Sequence, residues 1–335
     1  MSLSSLPDKC LKIVFQHLDM RSQCNWAFTC SRFLRIYRMV NKNKFRNFIW
    51  YERSCEWSKQ EVEYLFRLNG RHMRRLAISD AQDLSSHSDL MLWSKSIFVA
   101  PVCVYLKNLR SLTLCLSDNM GEIMLKVCRY MLKLEDLTVN TNCEMNYTFL
   151  VLLPRLKSLD LENFDVGGAD TLFELLATMR RDVLQSLRIG SQLQLKEAKD
   201  IIKLKSLEML SVCNPSRVFL ELILQLDTVR VLSISQGISL DDVDFMRFMA
   251  ESKALSALYV SDCLNLTWEF PVFAVDLLKH EKHTLLCRHR RLPFYVECCR
   301  TGITMKALKK SDIFSSQELL EVKLVDKDRK VKMLI

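Results

Sequence analysis

A short hydrophobic phrase recurs along most of the chain. It consists of a leucine, two other residues, a second leucine, one residue and a third aliphatic residue. The seven clear copies begin at Leu109, Leu134, Leu156, Leu184, Leu207, Val229 and Leu255. Successive copies start 25, 22, 28, 23, 22 and 26 residues apart. The alternating apolar residues at the end of each phrase predict a short strand with one buried face.

The segments between the phrases have helical spacing of apolar residues, as at Val243, Met246 and Met249. A single strand and helix cannot bury their apolar faces alone, but stacked copies form a continuous core. The period lies in the range of about 20–29 residues that is typical of leucine-rich repeats. The pattern therefore predicts an α/β leucine-rich-repeat solenoid, which is a curved parallel sheet with outer helices. An ordinary Leu-rich α/β domain would not need this regular period.

Weaker copies extend the array at both ends, at residues 45–50, 73–78 and 319–324. The register is lost between Val260 and Leu319, where we expect one hidden repeat with a strand around Phe294 and Val296. Asn142 and Cys263 stand eight positions after the first leucine of their copies. In this respect the repeats resemble the cysteine-containing class of leucine-rich repeat.

Residues 6–40 do not fit the repeat and predict three short helices. Leu6-Pro7-Asp8 is typical of a helix start, because proline is tolerated in the first turn. The next apolar residues have the spacing of one helix face. Asp19 is placed to cap a second helix, and Ser31 a third.

The same segment resembles an F-box. The features shared with that family are the Leu6-Pro7 start, the aliphatic-rich first helix, Leu18-Asp19, and the run Cys30-Ser31-Arg32-Phe33. Cys10, Cys24 and Phe33 depart from the family's usual residues. An F-box followed by leucine-rich repeats is a known family arrangement, and it accounts for essentially the whole chain.

The resemblance implies a Skp-type adaptor as partner, and through it a cullin–RING ubiquitin ligase. A fragment of about 40 residues buries little core alone, so its spare apolar positions should face another surface. The residues expected to contact the adaptor are Leu6, Pro7, Cys10, Leu11, Val14 and Leu18. The alternative is a helical cap that seals the end of the repeat array.

We expect residues 1–40 to form the F-box, residues 41–72 a junction with the first weak repeat, and residues 73–335 the leucine-rich-repeat domain. Within the junction, apolar spacing predicts a helix that ends near Gly70. No flexible linker interrupts this segment, so the F-box should be held rigidly.

Composition and charge limit the classes of partner and the cell compartments that can be expected. The formal net charge is +9, and both ends of the chain are basic. This balance allows nucleic acid or an anionic membrane as a partner, but an acidic protein surface is the commoner explanation. The thirteen cysteines have no framework spacing, and we find neither an export signal nor an apolar run of transmembrane length. We therefore expect reduced thiols, a cytoplasmic or nuclear location, and no membrane or nucleic-acid partner.

Motifs for bond chemistry are missing from the sequence. Phosphate-binding glycine motifs, G-x-S-x-G and H-E-x-x-H do not occur. A group of possible zinc ligands comprises His280, His283, Cys287, His289, Cys298 and Cys299. It has no C-x-x-C pair and is surrounded by arginines, so we interpret it as a basic edge of the array. No cofactor and no catalytic residue are expected.

Substrate contacts are expected on the concave face of the sheet, from side chains that flank the buried leucines. The candidates are Asp136, Asp160, Glu162, Arg188 and Tyr259. The leading hypothesis is a non-catalytic substrate-recognition subunit of a Skp–cullin–F-box ubiquitin ligase that binds an unknown protein substrate. The alternatives are a repeat scaffold without a ligase, and an RNA- or membrane-binding repeat protein.

Overall fold

The computed structural model describes residues 5–51, 57–79, 101–116, 121–141, 146–162, 169–193, 195–283, 290–304, 306, 308 and 316–325. The chain divides into two compact units, Met1–Leu156 and Lys157–Ile335. This division falls between residues 156 and 157 and does not test the expected domain limits at residues 40 and 72, which stay a prediction.

Three helices begin the first unit, namely α1 (Asp8–His17), α2 (Met20–Thr29) and α3 (Ser31–Asn41). Asp19 caps α2 as predicted, because its side chain accepts a hydrogen bond from the Ser22 N–H at 2.8 Å. The predicted cap of α3 is wrong by one residue. Cys30 has the extended backbone that a cap requires, and its Sγ accepts from the Phe33 N–H at 3.5 Å, so Ser31 is already helical.

Strands and helices alternate through the rest of the first unit. They are β1 (Asn47–Tyr51), α4 (Lys59–Asn69), β2 (Arg75–Ser79), β3 (Ser111–Leu116), α5 (Gly121–Cys128) and β4 (Asp136–Thr141), with 3₁₀ turns at Gly70–His72, Pro101–Tyr105 and Tyr147–Leu152. The strands pair in parallel in the order β1-β2-β3-β4. Phe48 and Trp50 lie opposite Leu76 and Ile78, which confirms the two weak repeats at this end.

Gly70 follows α4 where the sequence predicts the end of a helix, but its backbone is right-handed, with φ −54°. A Cβ atom on Gly70 would lie 2.8 Å from the Tyr105 Cβ and 2.9 Å from the Tyr105 carbonyl oxygen. Glycine is therefore needed here for close packing against the next repeat, and not for a left-handed turn.

In its described residues the second unit contains seven strands and the helices between them. The strands are β5 (Ser158–Glu162), β6 (Ser186–Ile189), β7 (Met209–Cys213), β8 (Val231–Ser235), β9 (Ala257–Ser261), β10 (Phe294–Cys299) and β11 (Leu320–Val325). The helices are α6 (Ala169–Met179), α7 (Leu195–Ile201), α8 (Arg217–Ile223), α9 (Asp242–Glu251) and α10 (Glu269–His283). The strands pair in parallel in sequence order. None of the described helices has the length and apolar character needed to cross a membrane.

The hydrophobic phrases are in register across this sheet. The central aliphatic residue of each phrase forms one row: Leu159, Leu187, Leu210, Leu232, Leu258, Val296 and Val322. All of them except the last are buried. This register confirms the α/β leucine-rich-repeat fold, the hidden repeat at β10 and the closing repeat at β11. The residues that alternate with this row form what we call the open face of the sheet.

A left-handed residue follows each of the strands β7 to β10. These residues are Asn214, Gln236, Asp262 and Arg300, with φ between 45° and 57°. The N–H groups of the first three donate to the carbonyl oxygens of Ser235, Ser261 and Cys299, at 2.7, 2.9 and 3.0 Å. The same turn therefore joins the ends of β7, β8 and β9 to the strand of the next repeat.

Cys263 shows what the eighth position of the repeat does. Its Sγ accepts a hydrogen bond from the Gly237 N–H at 3.3 Å and donates to the Ser261 carbonyl at 3.4 Å. The buried thiol thus satisfies backbone groups of two neighbouring repeats, as buried polar groups require.

The inward position expected for Val243 in α9 is wrong, because this side chain is 75% exposed. The reason is the start of the helix, where Asp241 and Asp244 form a capping box. That start turns Phe245 and Phe248 toward the core instead.

Candidate functional site

The three N-terminal helices share a small aromatic core. Leu11 and Phe15 on α1 are fully buried. The Phe15 ring lies 5.4 Å from Trp26 on α2 and 6.0 Å from Phe33 on α3, in edge-on contacts. Trp26 stacks on Phe33 at 5.5 Å. The face of α1 that carries Leu11 and Phe15 is thus fully used for internal packing.

Five of the residues expected to bind an adaptor keep exposed surface in α1 or directly beside its ends. Pro7 and Cys10 are exposed. Leu6, Val14 and Leu18 are half-buried. Leu11 must be corrected, because its complete burial leaves it no surface for a partner. It lies one helical turn before Phe15, so both side chains face inward.

Ile13 is a surface residue that the sequence reasoning missed. Its side chain is 56% exposed. It follows Cys10 by three positions, so the two share one helical face. The three-residue spacing from Cys10 could have indicated in the sequence that Ile13 belongs to the adaptor-binding candidates. We define the outer face of α1 as Pro7, Cys10, Ile13 and Val14.

The start of α1 is held by α3. The Arg32 guanidinium lies 2.6 Å from the Asp8 carboxylate and donates to the Leu6 carbonyl at 2.6 Å. These contacts fix the Leu6-Pro7 segment beside the outer face of α1.

The three helices are also bound firmly to α4 of the junction. Arg21 donates two hydrogen bonds to Glu61, at 2.6 and 3.0 Å. This guanidinium lowers the pKa of Glu61 to about 2. Asn69 donates to the Tyr37 hydroxyl at 2.6 Å in the interior of the unit. The paired charges and the buried polar contact fix the N-terminal helices on α4.

The open face of the second unit brings several candidate residues into one row across neighbouring strands. Its members are Asp160, Arg188, Ser211, Ser233, Tyr259, Glu297 and Lys323. Asp160, Arg188 and Tyr259 were expected, whereas Glu297 and Lys323 were missed because β10 and β11 have weak phrases. Asp136 belongs to the first unit, where it lies opposite Ser111 of β3.

Charged residues occupy the β5 end of this row. Arg188 lies 3.4 Å from Asp160 and 3.7 Å from Glu162. Burial raises the pKa of Asp160 to about 6, although Arg188 opposes this shift. The structure thus brings Asp160, Glu162 and Arg188 together, and Arg188 is shared between two carboxylates.

An aromatic pair occupies the other end of the row. Tyr259 and Tyr295 lie 5.6 Å apart. Tyr295 donates to Glu297 at 2.6 Å, and Lys323 donates to the same carboxylate at 3.2 Å. Burial and the Glu297 carboxylate raise the pKa of Tyr259. Tyr259 is therefore a neutral, half-buried side chain with an aromatic surface suited to protein contact.

The possible zinc ligands are only partly within the described residues. His280 and His283 are exposed at the end of α10, whereas Cys298 is buried in β10. Cys287 and His289 lie outside the described residues. Where the structure is described, no group of three or more His, Cys, Asp or Glu side chains is arranged to hold a metal ion.

Comparison with protein families decides the nature of the N-terminal helices. Residues 3–45 match the family model of the F-box domain. The chain carries an F-box domain. F-box proteins are in general non-catalytic adaptor subunits. The F-box match includes α1 to α3 and ends just before β1.

Solved structures of leucine-rich-repeat proteins resemble the chain at low sequence identity. A chain in the crystal structure of the Rad7 and Elc1 complex in yeast matches with 15% identity, 90% coverage of both chains and a TM-score of 0.44. LegL7 from Legionella pneumophila is 15% identical over 81% of this chain and 80% of that chain, with a TM-score of 0.42. A search of curated protein sequences finds no match. The fold assignment therefore rests on the strand register described above.

Proposed function

We propose that this chain is the substrate-recognition subunit of a Skp–cullin–F-box ubiquitin ligase. The F-box would bind a Skp-type adaptor, and the leucine-rich repeats would bind a protein substrate. Such a subunit performs no bond chemistry itself. It accelerates ubiquitin transfer because it holds the substrate close to the enzymes of the complex.

The observation that carries this proposal is the F-box match together with the outer face of α1. Ile13 is 56% exposed although it lies on a helix whose other side is fully packed. An exposed apolar strip on a small domain is typical of a protein-binding surface. The paired Arg21 and Glu61 side chains would transmit the position of the adaptor to the junction helix α4.

On the substrate side, we propose the open face of the second unit, with Tyr259 as an anchor. Its aromatic ring offers contact area at low cost in side-chain entropy. We further propose that the protein works in the cytosol or nucleus. The described cysteines are free, and thiols persist in these reducing compartments.

The decisive experiment is purification of the chain with a Skp-type adaptor. Ile13→Asp should weaken adaptor binding at least tenfold, because it places a charge on the outer face of α1. Leu132→Asp is the matched control, since Leu132 is 55% exposed and lies outside the F-box. It should bind as the unchanged chain does. Leu6→Ala combined with Pro7→Ala should also weaken binding.

Failure of the unchanged chain to bind the adaptor, or full-strength binding by Ile13→Asp, would refute the proposal. Circular dichroism of each variant would establish that the helices remain folded. A chain that is folded but does not bind the adaptor would instead fit a repeat scaffold without a ligase.

A further inference from the structure

Six large apolar side chains are exposed along one edge of the second unit. They are Leu195, Val218, Ile238, Val243, Leu264 and Trp268, each between 45% and 75% exposed. All of them lie where the chain leaves a strand and enters the following helix, or in the first turn of that helix. We call this set the apolar edge.

The members of the apolar edge occupy similar places in successive repeats, although not the same position of the hydrophobic phrase. Leu195, Val218, Val243 and Trp268 follow one another by 23, 25 and 25 residues, and Ile238 and Leu264 are 26 residues apart. Leu195, Val218 and Val243 lie in the first turn of their helices and Trp268 directly precedes its helix, so the four residues stand at four successive helix starts. Because strands β6 to β9 pair in order and in parallel, equivalent positions lie side by side along the sheet.

Hydrogen bonds between neighbouring repeats hold these positions in line. Arg217, beside Val218, donates to Asp241 at 2.9 Å and to Asp244 at 3.1 Å, on either side of Val243. The start of α9 is therefore tied to the start of α8.

The next repeat is joined in the same way. Asp242, beside Val243, accepts hydrogen bonds from the Thr267 N–H at 2.7 Å and the Thr267 hydroxyl at 2.5 Å. Asn265, beside Leu264, donates to the Ile238 carbonyl at 2.8 Å. The apolar side chains thus project from loops that are fixed to one another, which reduces the entropy cost of binding.

The apolar edge has an acidic border. The acidic residues within two positions of its members are Glu197, Asp241, Asp242, Asp244, Asp262 and Glu269, and the basic ones are Lys196 and Arg217. Arg217 and Arg300 pair with aspartates of this group. Carboxylates are therefore in excess along this edge, although the whole chain has a formal net charge of +9.

We propose that the apolar edge is a docking surface for a protein segment that is apolar on one side and bordered by lysine or arginine. The exposed side chains would be buried by the apolar residues of that segment. The excess carboxylates would attract its basic residues and orient it. They would repel an anionic membrane. This surface is separate from the outer face of α1 and from the open face of the sheet, so the proposal does not depend on the proposed function.

Synthetic amphipathic helical peptides provide the test. One peptide carries leucines bordered by lysines, a second the same leucines bordered by glutamates, and a third the same lysines with serine in place of leucine. Each is titrated into the full-length chain by fluorescence anisotropy. We expect the first peptide to bind at least tenfold more tightly than either of the others.

The variant Val243→Asn with Leu264→Asn removes apolar surface without changing any charge. It should weaken the lysine–leucine peptide at least fivefold. Leu132→Asn, an equally exposed change in the first unit, should have less than a twofold effect. Binding of the same peptide should shift the emission of Trp268, and Trp268→Phe should abolish that shift.

Other results would overturn the proposal. Equal binding of the lysine–serine peptide would mean attraction by charge alone. An unchanged affinity of the Val243→Asn and Leu264→Asn variant would place the peptide elsewhere. Binding to phosphatidylserine vesicles, or a concentration-dependent dimer, that is lost in the same variant would identify a membrane or a second copy of the chain as the occupant.

Discussion

The carboxyl group of Asp160 lies on the open face of the sheet in an environment that disfavours its charge. Its Oδ1 is buried and has no hydrogen-bond partner among the described residues, while Oδ2 faces Arg188 at 3.4 Å. Burial is the larger effect, which is why the pKa rises to about 6. The charged form of Asp160 is therefore destabilising near neutral pH.

This environment gives a dependence of stability on pH. The folded pKa of Asp160 exceeds its unfolded value, so its contribution is fully present below about pH 4 and is lost as the pH rises through about 6. Asp160→Asn cannot ionise, so the variant does not lose this stability as the pH rises. Urea unfolding should show equal stabilities near pH 4, and an advantage for the variant at pH 7 of up to about 2 kcal/mol. Equal stabilities at both values would contradict the assigned environment.

Leu11 is the residue whose role changed most between sequence and structure. It is completely buried beside the aromatic core of the F-box. Leu11→Ala should lower the free energy of unfolding by about 2–4 kcal/mol, because it leaves a cavity. Lys12→Ala, its exposed neighbour, should have little effect on the same thermal unfolding curve. Loss of adaptor binding by Leu11→Ala with an unchanged unfolding curve would contradict the buried role.

At the scale of elements, the helix pair α2 and α4 determines how firmly the F-box is held. Glu61 carries both the capping box with Ser58 and the two hydrogen bonds from Arg21. Its pKa of about 2 lies below the usual range, so its contribution is present above about pH 4.5 and is lost only as the pH falls through about 2.

Glu61→Gln should therefore loosen this junction at neutral pH. Since Arg21 is partly exposed, the expected cost is modest, about 1 kcal/mol. Hydrogen exchange should become faster in α2 and in the first turn of α4. Glu63→Gln on the same helix is the control and should exchange as the unchanged chain does. Equal exchange in both variants would mean that Arg21 and Glu61 do not hold the helices together.

The elements that the sequence predicts well are the strands whose buried aliphatic residues recur in every repeat. Leu210 and Leu232 lie opposite each other because aliphatic side chains at alternate positions can face only the helices. The strand β10 follows a long helix, α10, so it begins later in its repeat than the other strands do. In β10 a cysteine, Cys298, also stands where other strands have an aliphatic residue. The phrase therefore could not be recognised from its leucines. Such substitutions depend on the packing of neighbours, which one sequence does not reveal.

Surface assignments were harder to predict for a related reason. Val243 belongs to an amphipathic helix but lies in its first turn, before the buried residues Phe245 and Phe248. The Asp241 capping box determines the start of α9. In α1 the helix begins where predicted, but residue spacing shows only which residues share a face and not whether that face meets the core or a partner. This is why the exposed side of α1 was predicted with Leu11 included and Ile13 omitted.

At the scale of the whole molecule, the net charge of +9 has to be separated from specific recognition. The outer face of α1 is apolar, so adaptor binding should change less than threefold between 0.05 and 0.5 M salt. Attraction of RNA by the basic ends should fall steeply over the same interval, because it depends on counterion release. Parallel titrations with adaptor and with a single-stranded RNA would test this. A steep salt dependence of adaptor binding would contradict an apolar contact.

The left-handed residues after strands β7, β8 and β9 form the same connection to the next strand in each case. Asn214 and Gln236 are 22 residues apart, have φ values of 45° and 57°, and bond to the next strand in the same way. The segment between two such residues is one complete repeat that begins and ends with the same backbone conformation. The array could thus gain or lose a repeat in evolution, and so alter the length of its recognition surface, without any new junction having to be invented.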